Sequence, residues 1–399
     1  MTDTLARAAT TARGSAGPTV HLDVLGARVS LRTRTAEQAA AVAADWSRCL
    51  VATRGAEAPR LVVDSTLPLT REVRQRLASN LNVEGVERLA GEAVMLHAAG
   101  LATDDGRVLA LVAESGTGKT TAAAHLCRDA FGYVTDETVV VLDDGRVLPF
   151  AKPLSVVVDP AQRSVKELHG PDDLGLRRHP DGPLTLGGVV LLVRRPDHVG
   201  APRVEPVALL DALVRLVEHT SALVHLDRPL QTLAGLLSRG PGPHELVYAE
   251  IGGCTELLAG LVAQGTEAPV APAAPVAAWE PLEVPDRPVP TGPRGSLVVV
   301  PSLDGVVVGD EALLLHGDTP MRLGPLGLTL WRAAAAGARA ADLPGIAVAA
   351  HGDHPDAAAL VRRGLAELVA AGLVRDTQDS HDPQDRADPR DRATRGAGR

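Results

Sequence analysis

Apolar and polar positions alternate in short bursts near the start of the chain. Val20, Leu22 and Val24 are separated by polar neighbours, as are Val29 and Leu31, and Gly26 stands between the two runs. Period two marks a strand with one buried face, so strands are expected at 19–25 and 28–32. Helical spacing follows at 35–53, with Trp46 on its apolar side, then a short strand at 61–63 and a helix at 70–89. From residue 108 apolar runs alternate with helical patterns. Strands are expected at 108–113, 139–142, 147–150 and 189–193, and helices at 119–128, 206–218, 230–238 and 256–264. Such alternation predicts an α/β layered architecture.

The pattern breaks at 268–294, a Pro-rich stretch. Proline removes backbone donors and favours extended chain, which predicts a semi-rigid linker. A second unit follows, with short strands at 297–300, 305–308 and 312–316. Helices are expected at 326–335, 340–349 and 355–371, the last stopping at Gly372. The expected organisation is therefore a flexible N-terminus 1–16, a main domain 17–265, a linker 266–295, a second domain 296–375 and a tail 376–399. That tail has almost no apolar residues and cannot offset its own ordering entropy, so it is expected to be disordered.

With 399 residues, 45% of them hydrophobic and 22% charged, the chain is long enough for two or three ordinary domains. No apolar run reaches the roughly 18 residues that span a bilayer, and the first residues lack the apolar centre of a signal peptide. The expectation is a cytoplasmic protein without a membrane partner. Cys49, Cys127 and Cys254 lie far apart, without the spacing of a zinc site or a disulfide framework. The net charge of −9 and the lack of a basic, aromatic-laced stripe argue against nucleic acid. The chain has three lysines, Lys119, Lys152 and Lys166, against 37 arginines. A lysine surviving such a bias points to a place where a compact ammonium is needed.

Lys119 falls in the run VLALVAESGTGKTT, an apolar strand leading into a glycine-rich turn and a helix. Such a turn lets backbone N–H groups face phosphates, and the helix N-terminus adds partial positive charge. The candidate ATP-binding residues are Ser115, Gly116, Thr117, Gly118, Lys119, Thr120 and Thr121. Lys119 would reach the β- and γ-phosphates and Thr120 would help hold Mg²⁺. Ala113 stands where the full motif has its first glycine, and it is tolerable there if its φ stays negative.

A magnesium nucleotide also needs a carboxylate nearby, and phosphoryl transfer needs a base. Asp143 and Asp144 follow an apolar run but precede Gly145, which reads as a hairpin turn. Asp136 and Glu137, at the entry of the same strand, are the other candidates.

The run from Leu96 to Val141 resembles the catalytic core of HPr kinase and its relatives. Ser115, Gly116, Gly118, Lys119 and Thr120 match that family's loop, and Asp136 matches the first member of its acid pair. The resemblance implies that Asp136 binds magnesium and handles the acceptor proton, with Lys119 and Glu137 as further catalytic residues. Glu137 replaces an aspartate and is one methylene longer. His97 matches an element packed below the nucleotide, and Lys152, in KPLSV, reads equally as a contact to phosphate or acidic acceptor and as a solvated turn residue. The family's Arg-Gly-x-Gly signature and separate N-terminal domain have no match here, so HPr itself is not implied as substrate.

Residues 304–337 and 358–374 are similar to the PqqD family in their strand pair, Leu/Trp helix and final helix. That resemblance implies a domain that captures the leader peptide of a ribosomally made peptide on a sheet edge. The expected fold class is α/β: an HPr kinase-like P-loop domain plus a small C-terminal α+β winged-helix-like domain. The expected activity is ATP- and Mg²⁺-dependent transfer to a hydroxyl of a peptide or protein, with a homo-oligomer left open. The rival is a nucleotide-gated peptide binder that transfers nothing.

Overall fold

Every residue from Val108 to Val112 is fully buried, as a strand covered on both faces must be. The computed structural model describes residues 17–52, 61–64, 68–114, 116–158, 165–264, 278–288 and 297–376. Strand Arg107–Val112 pairs in parallel with Leu184–Arg194 and antiparallel with Ala98–Ala102. Leu184–Arg194 also pairs in parallel with Pro243–Tyr248, and its first residues meet Arg146–Leu148 antiparallel. With Gly132–Thr135, Val139–Val141, Val94–Leu96, Thr220–Ser221 and Arg203–Pro206, this becomes a mixed sheet of ten strands.

The pleat sorts the central strand's side chains. Val108, Ala110 and Val112 face helices Leu209–Glu218 and Pro229–Leu237. Leu109 and Leu111 face helices Lys119–Asp129 and Thr255–Gln264. This is the α/β layering that the periodicity predicts. A third core joins Leu22, Leu31, Trp46 and Leu81 to Met95, Val140 and Phe150. The small sheet Thr19–Val24, Ala27–Arg32, Leu61–Asp64 therefore packs onto the main sheet.

The helix expected over 35–53 stops at Asp45. Asp45 is buried and paired with Arg74 of helix Arg71–Arg88, while Asp23 donates its N–H to the Cys49 carbonyl at 2.8 Å. These contacts draw 46–50 back toward the sheet instead of onward as helix. All three cysteines are free and buried. Asp143–Gly145 is a hairpin turn, with Val141 opposite Val147.

The C-terminal unit departs further from expectation. Its sheet has four antiparallel strands, Trp279–Pro281, Asp304–Val308, Glu311–His316 and Thr319–Leu323, in that order. The first lies inside the stretch expected to be linker, and the last carries Pro320, which an edge strand tolerates. Leu297–Val299 pairs instead with Val374–Asp376. Helices Pro325–Ala335, Leu343–His351 and Ala357–Ala370 complete an α+β unit. This sheet order does not by itself confirm a winged helix. The expectations for 1–16, 265–277, 289–296 and 377–399 fall outside the described residues.

Val306, Leu313 and Leu315 of the second unit share a core with Leu209, Leu213, Leu230 and Leu233. Arg322 bridges Asp211 at 2.5 Å and Glu311 at 2.6 Å. Asp304, 2% exposed, accepts the N–H of Leu230 at 3.2 Å and of Gln231 at 2.9 Å. It thus caps the N-terminus of helix Pro229–Leu237, whose first N–H groups have no partner within the helix. Among the described residues, no helix is long and apolar enough to cross a membrane.

Asp304→Ala should cost about 1 kcal/mol, the usual worth of an N-cap, and Asp304→Asn much less. Burial pushes the Asp304 carboxyl up to about 6, against the pull of its two N–H donors. The native state therefore binds this proton more tightly than the unfolded chain, whose value is about 3.9. The associated stability is complete below about pH 4 and is lost as pH rises through about 6. Melting temperatures at several pH values should show the gap between Asp304→Asn and wild type shifting in the variant's favour across that window and level above it.

Candidate active site

The central strand delivers its C-terminal end to the glycine-rich turn. Ala113 is buried and keeps a negative φ, so alanine fits where the motif has glycine. Gly116 and Gly118 have φ of +86° and +110°, and a Cβ at either would meet nothing within 4 Å. The space is open, and the backbone conformation alone selects glycine there. Gly118 is the N-cap of helix Lys119–Asp129. Ser115 lies outside the described residues.

Lys119, 6% exposed, folds back so that its ammonium donates to the carbonyls of Ala113 and Glu114. Burial pulls this ammonium below its ordinary range, and the carboxylates of Asp136 and Glu137 work the other way. Thr117 and Thr120 are half-buried and Thr121 is exposed.

Strand Gly132–Thr135 runs beside Ala98–Ala102 and carries the chain to Asp136. Asp136 is 5% exposed, and its Oδ1 lies 2.8 Å from the Lys152 ammonium and 3.1 Å from the Tyr133 hydroxyl. Lys152 also lies 3.0 Å from Glu137 Oε2, whose side chain is about one-third exposed. Burial opposes the Lys152 charge, but the two carboxylates outweigh it and hold the ammonium above its ordinary range. Lys152 is therefore neither a solvated turn residue nor a free cation awaiting phosphate. It is the buried partner of both acids.

The surroundings fix this cluster. Tyr133 OH is also within 3.0 Å of the Lys152 carbonyl, and Phe150 N–H donates to Val134. Thr138 donates to Asn82 of helix Arg71–Arg88, which ties the N-terminal layer to the acid turn. The Glu137 carbonyl accepts the Ala98 N–H at 3.1 Å, and the His219 carbonyl accepts the His97 N–H at 2.7 Å. Burial lowers the His97 and His219 imidazoles, and the Lys119 charge lowers both further. Both imidazoles are thus biased toward neutrality.

Lys119, Asp136, Glu137 and His97 are brought together from three segments. Sequence reasoning missed Tyr133 and His219. Tyr133 carried a faint signal, since it precedes Asp136 by three residues, but His219 sits 82 positions or more from His97, Lys119, Asp136 and Glu137 and had none. Asp143 and Asp144 belong to the hairpin turn, where Asp144 pairs with Arg146.

The oxygen donors, the Asp136 carboxylate and Thr120 hydroxyl, are of the hard type that suits magnesium. The open glycine turn suits a phosphate chain. Among the described residues no cluster of three or more His, Cys, Asp or Glu side chains forms a metal cage, and magnesium on nucleotides is commonly held by only one or two carboxylates plus phosphates.

No family model matches the chain, and no curated protein matches it. Among solved structures it matches the HPr(Ser) kinase/phosphatase from Coxiella burnetii, at 12% identity over 43% of this chain and 94% of that one, with a TM-score of 0.24. So loose a superposition carries no weight, and the site stands on its own geometry.

Tyr133 is fully buried, and its hydroxyl serves Asp136 and the Lys152 carbonyl. Tyr133→Phe should lower stability by about 1 kcal/mol, the net worth of one such bond. The measurement is a shift in urea midpoint at unchanged slope.

Proposed function

We propose that this chain is an ATP- and Mg²⁺-dependent phosphotransferase acting on a hydroxyl of a peptide or protein, built as an HPr kinase-like P-loop domain with a PqqD-like peptide-capturing unit. The observation that carries the proposal is the left-handed glycine turn opening helix Lys119–Asp129, whose buried Lys119 feels the charge of the acid pair Asp136–Glu137. Positive charge, backbone donors and a carboxylate are the parts phosphoryl transfer requires.

In this scheme the N–H groups of Gly116–Thr120 and the Lys119 ammonium hold the phosphates. Lys119 leaves the Ala113 and Glu114 carbonyls to do so. Thr120 and Asp136 would hold magnesium, which when bound draws charge from the β- and γ-phosphates. Asp136, with Glu137 beside it, takes the acceptor's proton as the acceptor oxygen bonds to the γ-phosphorus and the bond to the β-phosphate oxygen breaks. ADP leaves. His97 and His219, biased toward neutrality, avoid crowding Lys119 with further positive charge.

The peptide is supported by a separate feature. Thr319–Leu323 is an edge strand, and a groove of about 410 Å³ runs between it and helix Ala357–Ala370. Met321, Leu323, Leu326 and Leu360 line it with Arg363 and Glu367. An extended peptide can add to such an edge and place alternate side chains in the groove. A second reading, a nucleotide-gated peptide binder, is favoured by Lys152, which already pairs with both acids.

The deciding assay incubates the full chain with γ-labelled ATP, Mg²⁺ and the small peptide encoded nearest to it. Label should pass to the peptide, vanish with Lys119→Ala, and fall about 100-fold or more with Asp136→Asn, the scale of a lost general base. Tight ATP binding without transfer to peptide, water or the protein itself would establish the gated binder instead.

A further inference from the structure

The Lys152 side chain is 3% exposed, and an ammonium has three donors to place. Three acceptors surround it: Asp136 Oδ1 at 2.8 Å, Glu137 Oε2 at 3.0 Å and the Pro153 carbonyl at 3.2 Å. Its own carbonyl is within reach of Tyr133 OH, so backbone and side chain are both tied to the acid segment. In a chain that uses arginine almost everywhere, a compact point charge stands here. We infer that Lys152 is an internal counter-cation that keeps the acid pair from binding a divalent ion on its own, so that the metal is accepted only together with phosphate.

The inference rests on the assignment of Asp136 as a magnesium ligand. A free divalent ion must draw oxygens away from an ammonium that is buried and fully hydrogen-bonded. Two neighbouring carboxylates without that ammonium would present two adjacent negative charges. Phosphate oxygens change the balance by adding negative charge on the Lys119 side, where magnesium can be shared between one carboxylate and the nucleotide. Lys152 is thus a positioning residue. It touches the acids and reaches the metal only through them.

The test titrates Mn²⁺ alone into the full chain, with no nucleotide, and reads free Mn²⁺ by electron paramagnetic resonance. Wild type should bind it more weakly than about 1 mM. Lys152→Gln keeps a hydrogen-bond donor without the charge and should bind at least about tenfold more tightly, ~1.4 kcal/mol. Lys152→Arg, which keeps the charge, should stay near wild type, and Asp136→Asn added to Lys152→Gln should erase the gain. A merely structural lysine would not produce that order. Micromolar binding by wild type, an unchanged Lys152→Gln, or an equal gain in Lys152→Arg would each overturn the inference. The wild-type measurement stands even if a variant folds poorly. Phosphoryl transfer is not read, so this experiment and the labelling assay fail independently.

Discussion

One buried ammonium organises the candidate site. Removing water from Lys152 is costly, and the cost is met only because two carboxylates and a carbonyl close around it. That requirement fixes where Asp136 and Glu137 sit, keeps Tyr133 turned inward, and holds the segment after Phe150 against strand Gly132–Thr135. The charge of Lys119 on the glycine-rich loop is supported by the same acids. Two lysines thus share one pair of carboxylates, one locked and one held only by loop carbonyls.

The sheet makes this meeting dependable. Its central strand is buried on both faces, with alternate side chains serving different helical layers. One layer does double duty: helix Leu209–Glu218 packs under the sheet, ends at His219 beside the site, and pairs through Asp211 with Arg322 of the second unit. The groove beside Thr319–Leu323 and the glycine-rich turn therefore share a common support.

The sequence made much of this legible where local physics decides. Period-two runs marked the N-terminal strands, and Gly116, Gly118 and Lys119 marked the turn because a left-handed backbone and a placed ammonium have few substitutes. Asp144-Gly145 was readable as a turn for the same reason. Long-range pairing was not legible. Nothing near Lys152 says that it neutralises Asp136, and nothing near His219 says that it lies by Lys119. Pro320 hid an edge strand behind a turn-like composition, and the proline content around Trp279 hid another. The early end of the first helix depends on Arg74, nearly thirty residues on, which helical periodicity cannot register.

Asp304 caps a helix that begins 75 residues earlier in the chain. During synthesis that helix emerges with its first N–H groups unpaired, and its partner does not yet exist. Domains generally fold in the order in which they are made. Here the earlier part of the chain is left with an unfinished helix end until the later part arrives. The second unit is in this respect the last structural piece of the first, and the time between the two is set by the ribosome.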